Sequence, residues 1–312
     1  MNFKFILLIY NILISFVICL PPFLEKNHLA LSDLFLSKNT TFNYDEIKNL
    51  VVFGDSHSFL NNQWPKKLSD IHNHMKLWNF AKTGAVVNLN ITYRGPNHGS
   101  NDLIKEYKAF YNMMITQRNI NQWNGRNTLF AIHIGSNDIK DIYINKTEYT
   151  AKTINDWIEY VNNDKSPIEN IRDVINIIFD KIKNIYINGG RNFLIFKLPP
   201  FELTNVNEKR KKNYKTGIPI FNSLLYEKSK NLYEEYKDIN IIIYNLNEEY
   251  RIIINNFKYY NFVSGTEIFI SCKNKTKEYS NNYFWKDHTH LTEKGNSIIA
   301  KDIDDLLKSI NT

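Results

Sequence analysis

Short apolar runs alternate along the chain with longer segments whose apolar residues recur at helical spacing. Five runs, each four to eight residues long, are rich in β-branched or aromatic side chains: 50–53, 76–81, 128–134, 192–198 and 239–246. Uninterrupted runs of this kind favour strands that are covered on both faces of a parallel sheet. The pattern therefore predicts a mainly parallel sheet of five strands.

The intervening segments predict helices. The clearest is Ile168–Ile187, whose apolar residues at steps of three and four lie on one face: Ile171, Val174, Ile175, Ile178, Ile182 and Ile185. Gly189 and Gly190 follow it, as is typical of a helix end. Further helices are predicted at Ile218–Tyr236 and Thr292–Ile310. Strands separated by helices imply an α/β fold with three α/β/α layers.

The N-terminus has the pattern of a secretory signal. An almost wholly apolar segment, Phe5–Leu20, follows Lys4 and ends at two prolines. It predicts a signal peptide over residues 1–20 and a secreted, extracellular protein. The alternative is an uncleaved membrane anchor, because the segment approaches the length needed to span a bilayer. We expect no stable membrane association after cleavage.

The rest of the chain reads as one domain over residues 43–312, preceded by a polar leader over 21–42, because no repeat or linker interrupts it. Four sequons predict glycosylation at Asn39, Asn90, Asn145 and Asn274. The only cysteines are Cys19 and Cys272, and the first would leave with the signal. Cys272 would then be a buried free thiol or an intermolecular link.

The net charge of +7 could suggest an anionic partner. The basic residues are scattered, however, and form no stripe with interleaved aromatic residues. We therefore expect no nucleic-acid partner.

Polar motifs follow three of the predicted strands and precede the last helix. They are Gly54-Asp55-Ser56-His57-Ser58, Thr83-Gly84, Gly135-Ser136-Asn137-Asp138 and Asp287-His288-Thr289-His290. In open α/β sheets, ligands bind beyond the carboxyl ends of the strands. The motifs are therefore predicted to converge on one crevice.

These residue types match the needs of acyl transfer. A hydroxyl nucleophile needs a base, and the base needs an orienting group. Ser56, His290 and Asp287 can take these roles, while fixed donors stabilise the oxyanion. The backbone N–H groups of Ser56 and Gly84 and the side chain of Asn137 are the candidate donors. Alone, each motif could be a turn or a helix cap, and it is their order at strand ends that favours a site.

In this order the four motifs resemble the blocks of the SGNH/GDSL hydrolase superfamily. The resemblance covers roughly residues 48–308 and is strongest to carbohydrate esterase family 16 acetylesterases and plant-type GDSL esterases and lipases. It implies a flavodoxin-like fold, a triad of Ser56, Asp287 and His290, and an oxyanion hole of Ser56, Gly84 and Asn137. No metal and no organic cofactor are implied.

The last block departs from the family pattern, since Lys286 separates Trp285 from Asp287 and Leu291 stands where proline is usual. His288 is therefore a rival base, although the spacing from Asp287 favours His290.

Other residues near the motifs are given structural roles. We expect Asp55 to hold the turn, His133 to be a core-strand histidine and His57 to be exposed in the first turn after the nucleophile. Trp64, Trp123 and Trp157 are candidates for a substrate cleft.

The resulting hypothesis is a secreted serine esterase that removes acetyl groups from plant-type oligosaccharides or other small acyl esters. One alternative is a lipase or lysophospholipase-type acylhydrolase. The other is a catalytically silent carbohydrate-binding protein on the same fold, because a fold does not guarantee a function.

Overall fold

A computed structural model describes residues 31–72, 75–92, 94, 101–116, 122–142, 165–271 and 276–311. The predicted signal segment and residues 21–30 of the leader lie outside this range. So do Asn145, Asn274, Cys272 and Trp157.

The core of the molecule is a six-stranded sheet with the strand order β1-β6-β5-β4-β2-β3. The strands are β1 Ser32–Phe35, β2 Asn49–Gly54, β3 Lys76–Asn79, β4 Thr128–His133, β5 Asn192–Phe196 and β6 Asn240–Tyr244. Strands β2 to β6 are parallel, and every residue of β2, β4, β5 and β6 is buried. All five predicted strands are confirmed, but the expectation of a five-stranded sheet is wrong by one strand.

The additional strand, β1, comes from the segment that we read as a polar leader. It pairs antiparallel with β6, with Ser32 opposite Tyr244 and Phe35 opposite Ile241. Its residues are only half-buried, because it forms the edge of the sheet. The backbone N–H of Ser37 then donates to Oδ1 of Asn240 at 2.8 Å, which ties the segment to the sheet.

Helices cover both faces of the sheet. They are α1 Trp64–Ile71, α2 Leu103–Phe110, α3 Ser136–Ile142, α4 Pro167–Ile187, α5 Glu208–Glu235, α6 Leu246–Asn255, α7 Lys277–Ser280 and α8 Glu293–Ile310. A small parallel pair, β7 Ser264–Ile268 and β8 Tyr283–Trp285, precedes α8. Helix α1 packs against α8, and α4 packs against α5. Within the described ranges, no helix is long and apolar enough to cross a membrane.

Local chemistry explains where these helices begin and end. Ser166 and Glu169 form a capping box before α4, and Gly189 follows it with a φ of 106° that favours glycine. Helix α5 begins ten residues before its predicted start, at an Asn207 cap. The prediction missed this part because 208–216 is mostly charged, with Tyr214 as its one large buried side chain.

Candidate active site

The turn after β2 presents the hydroxyl of Ser56 at the carboxyl edge of the sheet. A Cβ atom at position 54 would lie 2.5 Å from the carbonyl oxygen of His133, so only glycine allows β2 and β4 to meet there. The N–H of Gly54 donates to Oε2 of the buried Glu106 at 2.9 Å. These contacts hold the end of β2 in place two residues before the candidate nucleophile, Ser56.

Asp55 holds the turn, as predicted. Its Oδ1 accepts the backbone N–H of His57 at 2.9 Å, and its carbonyl accepts the N–H of Ser58 at 3.1 Å. The side-chain amide of Gln63 donates to the carbonyl of Ser56. Complete burial raises the pKa of Asp55, although its contacts with His133 and His57 oppose this. The backbone on either side of Ser56 is thus anchored.

A second turn, between β8 and α8, carries Asp287 and His290. Oδ1 of Asp287 accepts the backbone N–H groups of Thr289 at 3.0 Å and His290 at 2.9 Å. The N–H of Lys286 donates to the carbonyl of His290 at 2.8 Å, so the extra residue is absorbed within the turn. Thr292 then caps α8 and donates its hydroxyl to the Tyr283 carbonyl at 2.7 Å.

The two turns bring Ser56, His290 and Asp287 together. Nε2 of His290 lies 2.7 Å from Oγ of Ser56, and its Nδ1 lies 2.9 Å from both carboxylate oxygens of Asp287. Burial alone would raise the pKa of Asp287, but the hydrogen bond and charge of His290 hold it well below its usual value. Asp287 is therefore ionised at neutral pH and fixes the ring of His290. His288, the rival base, is exposed.

His57 is buried, and the expectation that it is exposed is wrong. Its ring stacks on His290 at a centroid distance of 4.9 Å, on Phe201 at 5.4 Å and on His133 at 5.5 Å. Burial, reinforced by the charge of His290, lowers the pKa of His57 to about 3. A neutral His57 does not repel the cation that forms on His290 when it accepts a proton. His133 is buried, as expected of a core-strand histidine.

The three predicted oxyanion donors, from Ser56, Gly84 and Asn137, line the same cavity. Gly84 has a φ of 74°, a left-handed conformation that favours glycine. The N–H groups of Ser56 and Gly84 have no acceptor within the described parts of the chain. Nδ2 of Asn137 donates one hydrogen to the carbonyl of Ala85 at 2.9 Å, which leaves its second hydrogen for a ligand. Arg94 donates to the carbonyl of Gly84 and thereby fixes that peptide.

Asp138 supports the loop that follows Gly84. Its carboxyl group accepts the N–H of Val87 at 3.1 Å and the hydroxyl of Thr92 at 2.8 Å. Complete burial raises the pKa of Asp138 to about 7, although both hydrogen bonds favour the ionised form. Folding therefore takes up a proton at this side chain between pH 3.8 and about 7.

This proton uptake gives Asp138 a testable effect on stability. Because folding raises the pKa of Asp138, its stabilising contribution to the free energy of unfolding is fully present below pH 3.8. That contribution is lost as the pH rises towards 7. We expect the free energy of unfolding of wild type, relative to that of Asp138→Asn, to fall between about pH 5 and about pH 8. Urea titrations at both pH values measure it. The exposed Asp70→Asn should show no such shift. A pH-independent difference for Asp138→Asn would contradict the raised pKa.

The cavity in front of Ser56 has a volume of about 690 Å³, within the range of small-molecule sites. Its lining includes all the residues of the predicted triad and oxyanion hole, and also side chains that the motifs did not indicate: Arg94, Lys140, Arg210 and Tyr214. Trp64 and Trp123 are buried in the core and do not line it, so the expectation that they form the substrate cleft is wrong.

Two further groups of predicted sites can be located. The predicted glycosylation sites Asn39 and Asn90 are exposed, and their modification stays a prediction. Within the described residues, no group of three or more His, Cys, Asp or Glu side chains could hold a metal ion.

Comparisons with known proteins identify the family. Residues 50–303 match the model of the GDSL-like lipase/acylhydrolase family. The chain therefore belongs to the GDSL-like lipases and acylhydrolases, a class of ester hydrolases. No curated protein matches the chain.

The solved structures that match the chain are distant in sequence. An α/β hydrolase enzyme from the metagenome of Lake Arreo, Spain, is 10% identical, with a TM-score of 0.47 over 85% of this chain and 97% of that one. An extracellular lipase from Streptomyces rimosus is 13% identical, with a TM-score of 0.40 over 85% and 100%. An acetyl xylan esterase from Geobacillus stearothermophilus is 11% identical, with a TM-score of 0.36 over 84% and 96%.

Proposed function

We propose that this chain is a secreted serine esterase that hydrolyses short acyl esters, in particular acetyl esters of plant-type oligosaccharides. The observation that carries the proposal is the hydrogen-bonded series from Ser56 Oγ through the ring of His290 to the carboxylate of Asp287, at 2.7 Å and 2.9 Å. A serine, a base and an orienting acid in this geometry are the parts that acyl transfer requires.

The proposed reaction has two half-reactions. Oγ of Ser56 attacks the ester carbonyl carbon while Nε2 of His290 accepts the hydroxyl proton, and the oxyanion receives hydrogen bonds from Ser56, Gly84 and Asn137. When the tetrahedral intermediate collapses, the C–O bond to the alcohol breaks and His290 returns the proton to the departing oxygen. Water then attacks the acyl-enzyme with His290 as base, which releases the acid and restores the hydroxyl of Ser56.

The chemistry of the cavity supports a short acyl group. Its aliphatic lining is limited to Leu60, Val206 and Leu291 among the described residues, and the other lining side chains are mostly polar or charged. A long acyl chain would gain little from such walls, because binding of methylene groups depends on the apolar surface that they bury. Polar walls are better suited to a sugar or another hydroxyl-rich alcohol.

Secretion is part of the proposal. The apolar segment Phe5–Leu20 supports it, as do the exposed sequons at Asn39 and Asn90.

A series of p-nitrophenyl esters tests the proposed specificity. We expect no increase in kcat/KM from acetate to octanoate, because each added methylene is worth binding energy only in an apolar pocket. Release of acetate from acetylated xylo-oligosaccharides would then identify the alcohol. Higher kcat/KM for octanoate would favour a lipid acylhydrolase. A folded protein with no activity on any ester would overturn the proposed function.

A further inference from the structure

One wall of the cavity carries three cationic side chains from three separate elements. Arg94 comes from the loop after β3, Lys140 from α3, and Arg210 from the first turn of α5. We call Arg94, Lys140 and Arg210 the cationic wall. All three line the same cavity as Ser56, so a group bound by them would belong to the molecule whose ester bond faces the nucleophile.

The cationic wall holds more positive charge than its neighbours neutralise. Asp141 lies 2.8 Å from Nε of Arg94 and 3.6 Å from Nζ of Lys140, so one carboxylate serves two cations. Arg210 is exposed, and its guanidinium has no carboxylate partner among the described residues.

The remaining charged groups of the cavity do not restore neutrality. Asp287, the carboxylate on the lining, is already bound to His290, and Lys286 adds a further cation nearby. Burial lowers the pKa of Lys140, Asp141 opposes this shift, and the charges of Arg94 and Arg210 reinforce it. The cations are therefore close enough to repel one another. An anionic ligand would relieve that repulsion.

Tyr214 adds a neutral donor beside the cationic wall. The residue is only 1% exposed, yet it lines the cavity, and its hydroxyl has no hydrogen-bond partner among the described residues. Burial raises the pKa of Tyr214, so the hydroxyl keeps its proton and can donate it to an acceptor.

We propose that the cationic wall and the hydroxyl of Tyr214 form a subsite for a carboxylate or phosphate on the alcohol portion of the ester. This inference rests on the proposed function. An esterified acetyl group has no ionisable group, so the anion must belong to the alcohol. Arginine and lysine bind both anions by charge-assisted hydrogen bonds. An acidic sugar and a phosphorylated alcohol share this chemistry.

The test compares three acetyl esters of similar size: 4-acetoxybenzoate, 4-acetoxyphenyl phosphate and the uncharged methyl 4-acetoxybenzoate. The measured quantity is the ratio of kcat/KM for each anionic ester to that for the uncharged ester. Comparing this ratio between wild type and variants cancels the intrinsic reactivity of each ester. The variants are Arg210→Gln and Lys140→Gln. The matched control is Lys212→Gln, an exposed residue of α5 that does not line the cavity.

We expect each wall variant to lower the ratio by about five- to tenfold, less than a fully buried charge-assisted hydrogen bond contributes, because Lys140 and Arg210 are partly open to water. Lys212→Gln should leave the ratio unchanged. Added salt should lower the ratio in wild type, because it screens partly exposed charges. The larger of the two anionic ratios identifies carboxylate or phosphate as the preferred group. Equal ratios in wild type and both wall variants would overturn the proposed subsite.

Binding without turnover separates this proposal from the proposed function. Phenyl phosphate has no acyl bond, and calorimetry can measure its affinity for the Ser56→Ala protein. We expect Arg210→Gln in that background to weaken binding by about five- to tenfold. If no ester is hydrolysed but this weakening is found, the proposed function fails and the anion subsite stands. If esters are hydrolysed and Arg210→Gln alters neither binding nor the ratio, the subsite fails and the esterase stands.

Discussion

Replacing Ser56 by alanine should lower kcat for p-nitrophenyl acetate by at least about 10⁴-fold, and His290→Gln should cause a loss of similar size. The physical reason is that the hydroxyl lies 2.7 Å from Nε2 of His290, so nucleophile and base act as one unit. The double variant should be no slower than the slower single variant, because removing either partner already abolishes the unit.

The exposed His288 provides the control for this prediction. His288→Gln removes the same side chain two residues away. His288 lines the cavity but has no hydrogen bond to Ser56 or Asp287, so we expect activity within about threefold of wild type. Urea unfolding should show that all variants remain folded. A large loss for His288→Gln together with retained activity for His290→Gln would reverse the assignment of the base. Undiminished hydrolysis by Ser56→Ala would remove Ser56 from the reaction.

Much of the fold follows from local pattern, and its exceptions have physical reasons. All five predicted strands are confirmed, and four of them, β2, β4, β5 and β6, are continuous runs whose residues are all buried. The fifth, β3, is partly exposed at the edge of the sheet. Strand β1 was missed because Ser32–Phe35 mixes polar and apolar residues and is only half-buried. Its partner, Ile241–Tyr244, lies about two hundred residues away in the chain, and such a pairing leaves no local signal.

The active site likewise has parts that the sequence predicted and parts that depend on tertiary packing. The strand-end motifs placed Ser56, Gly84 and Asn137 on one cavity, because parallel strands share a carboxyl edge. His57 was read as exposed because a polar residue in a turn usually is, whereas contacts with Phe201 and His290 from distant segments bury it. These contacts depend on tertiary packing.

The cationic wall also depends on topology. Arg94, Lys140 and Arg210 are spread over more than a hundred residues, with no motif to link them. The scattered positive charge led us to expect no nucleic-acid partner, and the structure concentrates part of that charge beside Ser56. Net charge alone cannot reveal such a concentration, because it ignores which side chains the fold brings together.

Asp287→Asn should lower kcat for p-nitrophenyl acetate by about 10³- to 10⁴-fold with little change in KM. Oδ1 of Asp287 accepts the N–H groups of Thr289 and His290, and the carbonyl oxygen of asparagine can keep both bonds. The amide N–H₂ then replaces Oδ2, which now lies 2.9 Å from Nδ1 of His290. Oδ1 also lies 2.9 Å from Nδ1, but it already accepts two backbone N–H groups. The amide donor therefore favours an accepting Nδ1, which places the ring proton on Nε2 and leaves nothing to accept the proton of Ser56.

The variants Asp287→Asn and Asp287→Ala separate an electronic role of Asp287 from a structural one. If Asp287 only shaped the turn, Asp287→Asn would keep the turn and most of the activity, and Asp287→Ala alone would be inactive. If it also sets the tautomer of His290, both variants should be slow, although Asp287→Asn keeps the unfolding midpoint of wild type. Asp305→Asn, at a partly exposed position of α8, controls for the loss of one negative charge. More than about a tenth of wild-type kcat in Asp287→Asn would contradict the tautomer argument, because the wrong tautomer typically costs orders of magnitude.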